Sequence, residues 1–252
     1  MLSPVRYVRG LELADPGPAP GAEGGRSRDI GKIDLPVDPK AVVDVGSVIA
    51  FTDKVDADEK QDVLYAVQLA QRAASKLHDR FDETPAWYRK YTEVLENVGW
   101  VSQQFNFQRQ TQDRGEFRMD KAALAVIAAV ATQQYLGVLT TAISSLEKMA
   151  DDDGAITIFD YQSLAQQSGN FQLGSIEKSD NGALTMALGA FYFRAVDKRR
   201  KFLFFRWGEN DVEFWAAAQV LTLNEDTYAR VRGEIRNKMI ETAGDYVAGI
   251  EF

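Results

Sequence analysis

A run of 25 residues without a charged side chain, from Ala122 to Leu146, constrains the fold of this chain more than any other feature. The rest of the chain is acidic and polar, with a net charge of −8. As one helix the run would be about 37 Å long, which is enough to cross the roughly 30 Å hydrocarbon core of a bilayer. The run therefore has two interpretations, a buried core helix or a segment held for insertion into a membrane.

The pattern inside the run favours the core helix. Small and polar side chains recur at steps of three and four residues in its second half, as at Gln133, Gly137 and Thr141. Its first half is mostly alanine, which suits close contact between packed elements. Adjacent glutamines near the centre would be costly in contact with lipid. We expect one helix over about 118–150 that covers a sheet, with membrane insertion as the alternative.

The second half of the chain consists of strand-like runs separated by short turns. Successive positions within these runs are apolar, as at Phe191, Tyr192 and Phe193, so the sheet needs cover on both faces. Strands joined by turns this short are antiparallel. We predict an α+β fold in which an antiparallel meander of four to five strands packs against long helices. The meander spans residues 155–222, and the helices span about 57–81, 85–99, 118–150 and 224–246.

Local signals mark several element boundaries. Asp56 or Asp58 is placed to cap the first long helix, and Thr84 followed by Pro85 is a favourable start for the second. The sequence SDNG at 179–182 is typical of a hairpin turn. AVVDVGSVIAF at 41–51 predicts one strand.

The N-terminal region has a different composition from the rest of the chain. Residues 13–40 are rich in proline, glycine and charge, which predicts a mobile arm over residues 1–40 and a single domain over 41–252. The first residues lack the continuous apolar segment of a Sec signal peptide. We therefore expect cytoplasmic synthesis, with any export by another route.

The chain offers few groups for catalysis. It has no cysteine and one histidine, His78, which excludes thiolate chemistry and cysteine-ligated metal. The acidic run at 151–153 lacks the ligand spacing of a calcium loop. The common nucleotide-binding, serine-hydrolase and zinc-protease motifs are absent. We expect no cofactor, no metal and, given the acidic charge, no nucleic-acid partner.

Basic residues next to aromatic ones form the clearest binding signal. Residues 198–201 are Lys, Arg, Arg and Lys, between two aromatic-rich runs, and this composition is typical of a contact with a lipid interface. The competing interpretation is a solvated turn whose charges prevent edge-to-edge aggregation. The candidate residues for contact with a membrane or an apolar ligand are Ala129, Tyr135, Phe191, Phe193, Arg199, Arg200, Phe202, Phe204 and Trp207.

These features predict a non-enzymatic binding protein of the bacterial effector or toxin type, with a lipid, an apolar ligand or a membrane as its target. Two other classes stay open. One is an assembly subunit that docks on a protein partner, or on a second copy, through its N-terminal arm. The other is a cofactor-free hydrolase built from scattered carboxylates. If the uncharged helix is core, Ala129→Asp should unfold the protein.

Overall fold

The computed structural model describes residues 3–14, 39–110, 116–150, 154–208, 210–240 and 247–250. Within these ranges the chain forms seven α-helices and one sheet of eight strands. The helices are α1 (Pro4–Gly10), α2 (Ala57–Leu77), α3 (Thr84–Asn97), α4 (Met119–Ala128), α5 (Gln133–Lys148), α6 (Gly154–Ser163) and α7 (Glu225–Ile240). The strands are β1 (Ala41–Asp44), β2 (Ser47–Phe51), β3 (Trp100–Val101), β4 (Gln108–Gln110), β5 (Ser168–Lys178), β6 (Leu184–Ala195), β7 (Val212–Leu223) and β8 (Val247–Ile250).

The predicted α+β class is confirmed, but the sheet is mixed. Its strand order is β3-β7-β6-β5-β2-β1-β8, and β4 also pairs with β7. Strands β5, β6 and β7 form an antiparallel meander. Strand β2 runs parallel to β5, with Ser47 opposite Gln172. The purely antiparallel sheet was therefore a wrong prediction, because a hairpin from the beginning of the chain extends the meander.

That hairpin replaces the single strand predicted at 41–51. Strands β1 and β2 pair antiparallel, and Val45 and Gly46 form the turn between them. Their φ angles are 43° and 77°, the positive values that a tight two-residue hairpin turn requires. Glycine adopts such angles freely, whereas a β-branched residue does so under strain. The sequence did not predict this turn because Val45 continues the β-branched run.

Helices cover both faces of the sheet, as the two-sided apolar pattern predicts. Helices α1, α2, α3 and α7 enclose one core with side chains such as Ile49 and Leu188. Helices α4, α5 and α6 enclose the other core with Phe171 and Phe191. Burial of each such side chain contributes roughly 1.5–3 kcal/mol. The meander is thus the central layer of three.

The uncharged run forms two helices, so the prediction of one long helix over 118–150 was wrong. Helix α4 ends at Ala128 and α5 begins at Gln133. Between them the Thr132 side chain accepts a hydrogen bond from the Tyr135 amide and caps α5. The chain turns back there, so both halves pack against the sheet.

Within the described ranges, no helix combines the length and the hydropathy that crossing a bilayer requires.

Two of the predicted strands have other structures. Residues 155–161 lie in α6, where Ala155, Ile156 and Phe159 share the buried face. Their short apolar run fits either period, which is why sequence alone misassigned them. Residues 201–204 form turns, residues 205 and 206 have no regular structure, and Trp207 makes an isolated bridge to Phe117.

The remaining helices lie close to their predicted positions. Those expected at 57–81, 85–99 and 224–246 correspond to α2, α3 and α7, although residues 241–246 lie outside the described ranges. In the predicted arm, α1 packs against α7, and Val8 is fully buried. Residues 15–38 of that arm and the acidic run 151–153 also lie outside the described ranges.

Candidate functional site

Residues 196–207, the first part of the connection between β6 and β7, carry the basic and aromatic residues singled out in the sequence. They include five basic residues and one acidic residue, and two further acidic residues, Glu209 and Asp211, follow before β7 begins. The side chains of Arg199 and Arg200 are exposed. Val196 and Phe205 in the same segment are 61% and 36% exposed. We call residues 196–207 the basic loop.

Buried aromatic side chains hold the base of the basic loop in place. Phe202 stacks on Phe159 of α6, with ring centroids 5.5 Å apart, and on Phe193 of β6, with centroids 5.2 Å apart. The Trp207 ring is also buried, and its Nε1 atom donates to the Phe202 carbonyl at 3.2 Å. Two backbone hydrogen bonds of 2.8 Å link Trp207 to Phe117. The exposed residues therefore stand on a packed support.

A second contact anchors the middle of the basic loop to α6. The Lys201 amide donates to the Oδ2 atom of Asp160 at 2.6 Å, and the Lys201 ammonium donates to the Met149 carbonyl at 2.5 Å. Burial raises the pKa of Asp160 to about 6, although the Lys201 hydrogen bond and the charges of Arg200 and Lys198 oppose that rise. A carboxyl group that titrates near pH 6 thus lies beside the basic side chains.

The exposed cations of the basic loop are weakly paired. Arg199 forms an ion pair with Asp197 at 2.7 Å, and its guanidinium lies 5.1 Å from the centre of the Phe205 ring. Exposed pairs of this kind contribute roughly 0–1 kcal/mol and are readily exchanged. Lys198 and Arg200 form no ion pair with any residue in the described ranges. Both therefore remain available to an anionic partner.

The structure distributes the predicted site residues over three places. Arg199, Arg200 and the half-buried Phe204 belong to the surface of the basic loop. Four aromatic residues are buried beneath it and serve as its support: Phe191, Phe193, Phe202 and Trp207. The remaining two, Ala129 and Tyr135, lie elsewhere.

Tyr135 lies at the opposite end of the sheet from the basic loop. The Tyr135 hydroxyl hydrogen-bonds the Thr185 hydroxyl at the start of β6, whereas the basic loop follows the end of that strand. At about 3.3 Å per residue, the strand separates the two places by roughly 35 Å. Ala129 itself is exposed in the turn between α4 and α5. The nine candidates therefore do not form one site.

Several residues beyond the nine candidates complete the basic loop. Val196, Phe205 and Arg206 are exposed there, and Asp160 approaches from α6. Phe205 and Arg206 stand in the same run as the predicted Phe204, but only the turn conformation decides which of them faces solvent. Nothing in the sequence indicated that Asp160 lies near the basic loop, because residues 155–161 were predicted to be a strand.

The fold and the site define the class as an α+β protein with a mixed sheet between two helical layers and an exposed basic and aromatic loop. No family model matches the sequence, and no curated protein matches it. The solved structure of the Evf virulence factor is 13% identical, with a TM-score of 0.35, and the match covers 82% of this chain and 85% of that one. A delta-endotoxin is also 13% identical, with a TM-score of 0.41, and the match covers 80% of this chain and 90% of that one. Scores this low carry no argument about function.

Proposed function

We propose that this protein is a non-enzymatic, effector-type or toxin-type binding protein that associates with anionic lipid surfaces through the basic loop. The observation that carries the proposal is the joint exposure of Arg199, Arg200, Val196 and Phe205 on one packed support. Cations and aromatic rings presented together match the phosphate and glycerol layers of a bilayer surface.

The charge distribution supports binding through this loop. Each basic residue close to an anionic membrane contributes about 1 kcal/mol, and the attraction decays within a Debye length of roughly 8–10 Å. An anionic membrane therefore attracts the basic loop and repels the acidic remainder of the protein. This opposition orients the molecule with the end of β6 and the start of β7 towards the lipid.

The apolar residues of the loop supply a second contribution. Phe205 lies at the interface between the buried cluster and solvent, with its ring centroid 5.0 Å from that of Trp207 and the Arg199 guanidinium on its face. An aromatic ring in this position is suited to the headgroup region, where one part of it contacts water and the other acyl chains. Val196, close to the beginning of the loop, adds further exposed apolar surface.

Co-flotation with vesicles tests the proposal. The protein should float with vesicles of phosphatidylcholine and phosphatidylserine, and not with phosphatidylcholine alone. The double variant Arg199→Glu with Arg200→Glu should abolish flotation. The matched control, Arg89→Glu with Arg230→Glu, reverses two exposed charges on α3 and α7 and should leave flotation unchanged.

Two results would contradict lipid binding through the basic loop. One is equal loss of flotation in the loop variant and its control, which would indicate only a net-charge effect. The other is no flotation at any vesicle composition. In the second case, a partner or oligomer lost on deletion of residues 1–40 from a folded protein would favour the assembly-subunit alternative.

A further inference from the structure

A cluster of buried polar side chains lies between the sheet and helices α2 and α3, beneath the β1–β2 hairpin. The Gln71 amide donates to Ser47 Oγ at 2.6 Å and to Gln172 Oε1 at 2.8 Å, and the Gln172 amide donates to the Tyr88 hydroxyl at 3.0 Å. These contacts join β2, β5, α2 and α3. These hydrogen bonds exist only while the hairpin stays closed on the helices, and one atom of the network, Gln71 Oε1, has no hydrogen-bond partner.

Asp44, the last residue of β1, adds a carboxyl group to this cluster. Its side chain is fully buried, and its Oδ1 atom accepts one hydrogen bond from Gln68 at 2.8 Å. Its Oδ2 atom has no hydrogen-bond partner, and it forms no ion pair with the described residues. Ionising a buried carboxyl group that has one hydrogen bond and no ion pair is energetically costly. Burial accordingly raises the pKa of Asp44 to about 8, against the effect of the Gln68 hydrogen bond.

The groups around Asp44 do not compensate its charge. Helix α2 presents the neutral amides of Gln68 and Gln71. From α3 come the phenols of Tyr88 and Tyr91, and burial raises the pKa of each well above its usual range, with the Asp44 charge adding to the rise at Tyr91. The Tyr91 hydroxyl also lacks a hydrogen-bond partner.

The nearby cation, Arg80, is engaged with backbone atoms. Its Nη1 atom donates to the Val45 carbonyl at 3.1 Å, and its Nη2 atom donates to the Asn170 carbonyl at 3.0 Å. Burial lowers the pKa of Arg80 to about 10, so it remains charged at neutral pH. It holds the turn in which Val45 has a positive φ angle of 43°.

We propose that protonation of the Asp44 carboxyl controls whether the β1–β2 hairpin is closed or open. The neutral acid lets the hairpin, with β8 paired to β1, lie closed against α2, α3 and β5. Ionisation places an uncompensated charge beneath the turn and favours local opening of this edge of the sheet. The inference stands on this cluster alone and does not depend on lipid binding by the basic loop.

The pH dependence of opening follows from proton linkage. In an open hairpin the Asp44 carboxyl has an ordinary pKa near 4, whereas in the closed one its pKa is about 8. Between these values the closed state holds a proton that the open state releases. The opening constant should therefore rise about tenfold for each pH unit from about 4 to about 8 and level off above that.

Hydrogen exchange measured on the full chain tests whether opening of the β1–β2 hairpin depends on protonation of Asp44. Protection factors, corrected for the intrinsic pH dependence of exchange, are compared for the hairpin amides and for β6 amides from Leu188 to Phe191. In the wild type, protection at Phe51 and at Gln172, whose amide donates to the Gly46 carbonyl, should fall steeply up to about pH 8. In Asp44→Asn it should be independent of pH. Asp160→Asn, which removes a half-buried acid on α6, should keep the wild-type slope.

Two further observations distinguish local opening of the hairpin from unfolding of the whole chain. An equal fall in protection at the β6 amides would mean that Asp44 affects only global unfolding, and would overturn the proposal. A retained slope in Asp44→Asn would do the same. If that variant does not fold, the proposal is tested by the wild type alone, through the slope of hairpin protection against pH and its plateau above about pH 8. Val45→Gly should relieve strain in the turn and reduce opening at every pH without changing the slope.

Discussion

The backbone amide of Lys201 donates a hydrogen bond to the Asp160 carboxylate at 2.6 Å, so the basic loop is joined to α6 through a group that burial brings to a pKa of about 6. Below that pH the carboxyl is neutral, and Lys198 and Arg200 lose the negative charge beside them. If the basic loop binds lipid as we propose, we expect it to bind anionic surfaces more tightly in acid. The contact therefore makes the proposed function dependent on pH.

We expect vesicle binding by the wild type to strengthen as the pH falls through about 6. Asp160→Asn removes the charge while its side-chain oxygen still accepts from the Lys201 amide, so this variant should bind at pH 7 as the wild type does at pH 5. Binding isotherms on vesicles containing phosphatidylserine measure the effect. Asp58→Asn, which removes an exposed carboxylate at the start of α2, should retain the wild-type pH profile. A flat profile in the wild type would contradict the role of Asp160.

The two roles of phenylalanine around the basic loop are separable by mutation. Phe191 is fully buried between Phe171 and Phe214, so Phe191→Ala should lower the free energy of unfolding by about 3–5 kcal/mol. Phe205 is partly exposed, so Phe205→Ala should cost less than about 1.5 kcal/mol and instead weaken vesicle binding. Urea unfolding and flotation, measured on both variants, distinguish the roles. Comparable loss of stability in both variants would show that Phe205 is part of the core.

Asp62 joins α2 to α7. Its carboxylate is 5% exposed and accepts hydrogen bonds from Arg232 at 2.7 Å and from Arg236 at 2.8 Å. Because both arginines are partly solvated, Asp62→Ala should lower the free energy of unfolding by about 1–3 kcal/mol, less than for a fully buried pair. Asp58 lies 3.7 Å from Arg236 and is exposed, so Asp58→Ala should change stability by less than about 0.5 kcal/mol. The midpoints of denaturant unfolding measure the stability of both variants. Equal effects would contradict a stabilising role for Asp62 between α2 and α7.

The turn between α4 and α5 should tolerate a charge. Ala129 is exposed at the end of α4, so Ala129→Asp should cost no more than about 1 kcal/mol, mostly through an unfavourable interaction with the helix dipole. Ala123 lies in the same uncharged run but is fully buried, and Ala123→Asp should prevent folding because it buries an unpaired charge. Circular dichroism and thermal unfolding measure both. Unfolding by Ala129→Asp would mean that this turn packs more tightly than its exposure indicates.

Local chemistry in the sequence was sufficient to predict several elements. Asp56 caps α2 by accepting from the Glu59 amide, and the Glu59 side chain accepts in return from the Asp56 amide. The chain turns between β5 and β6 within the predicted SDNG, where the Gly182 amide donates to the Ser179 carbonyl at 2.9 Å. These signals are readable because each depends on hydrogen bonds between residues two to four positions apart. The need for cover on both faces was readable from the runs of successive apolar residues.

Sequence determined which segments are apolar, where several helices and turns begin, and that basic and aromatic residues are adjacent at 198–207. Tertiary structure alone decided that β2 pairs parallel with β5, that the chain breaks at Thr132, and that Arg199 and Phe205 face solvent while Phe202 and Trp207 do not. It also placed Asp44 and Asp160 in surroundings that change their pKa. The physical reason is that pairing, burial and desolvation depend on residues far apart in the chain, whose contributions add up only when the whole core has formed.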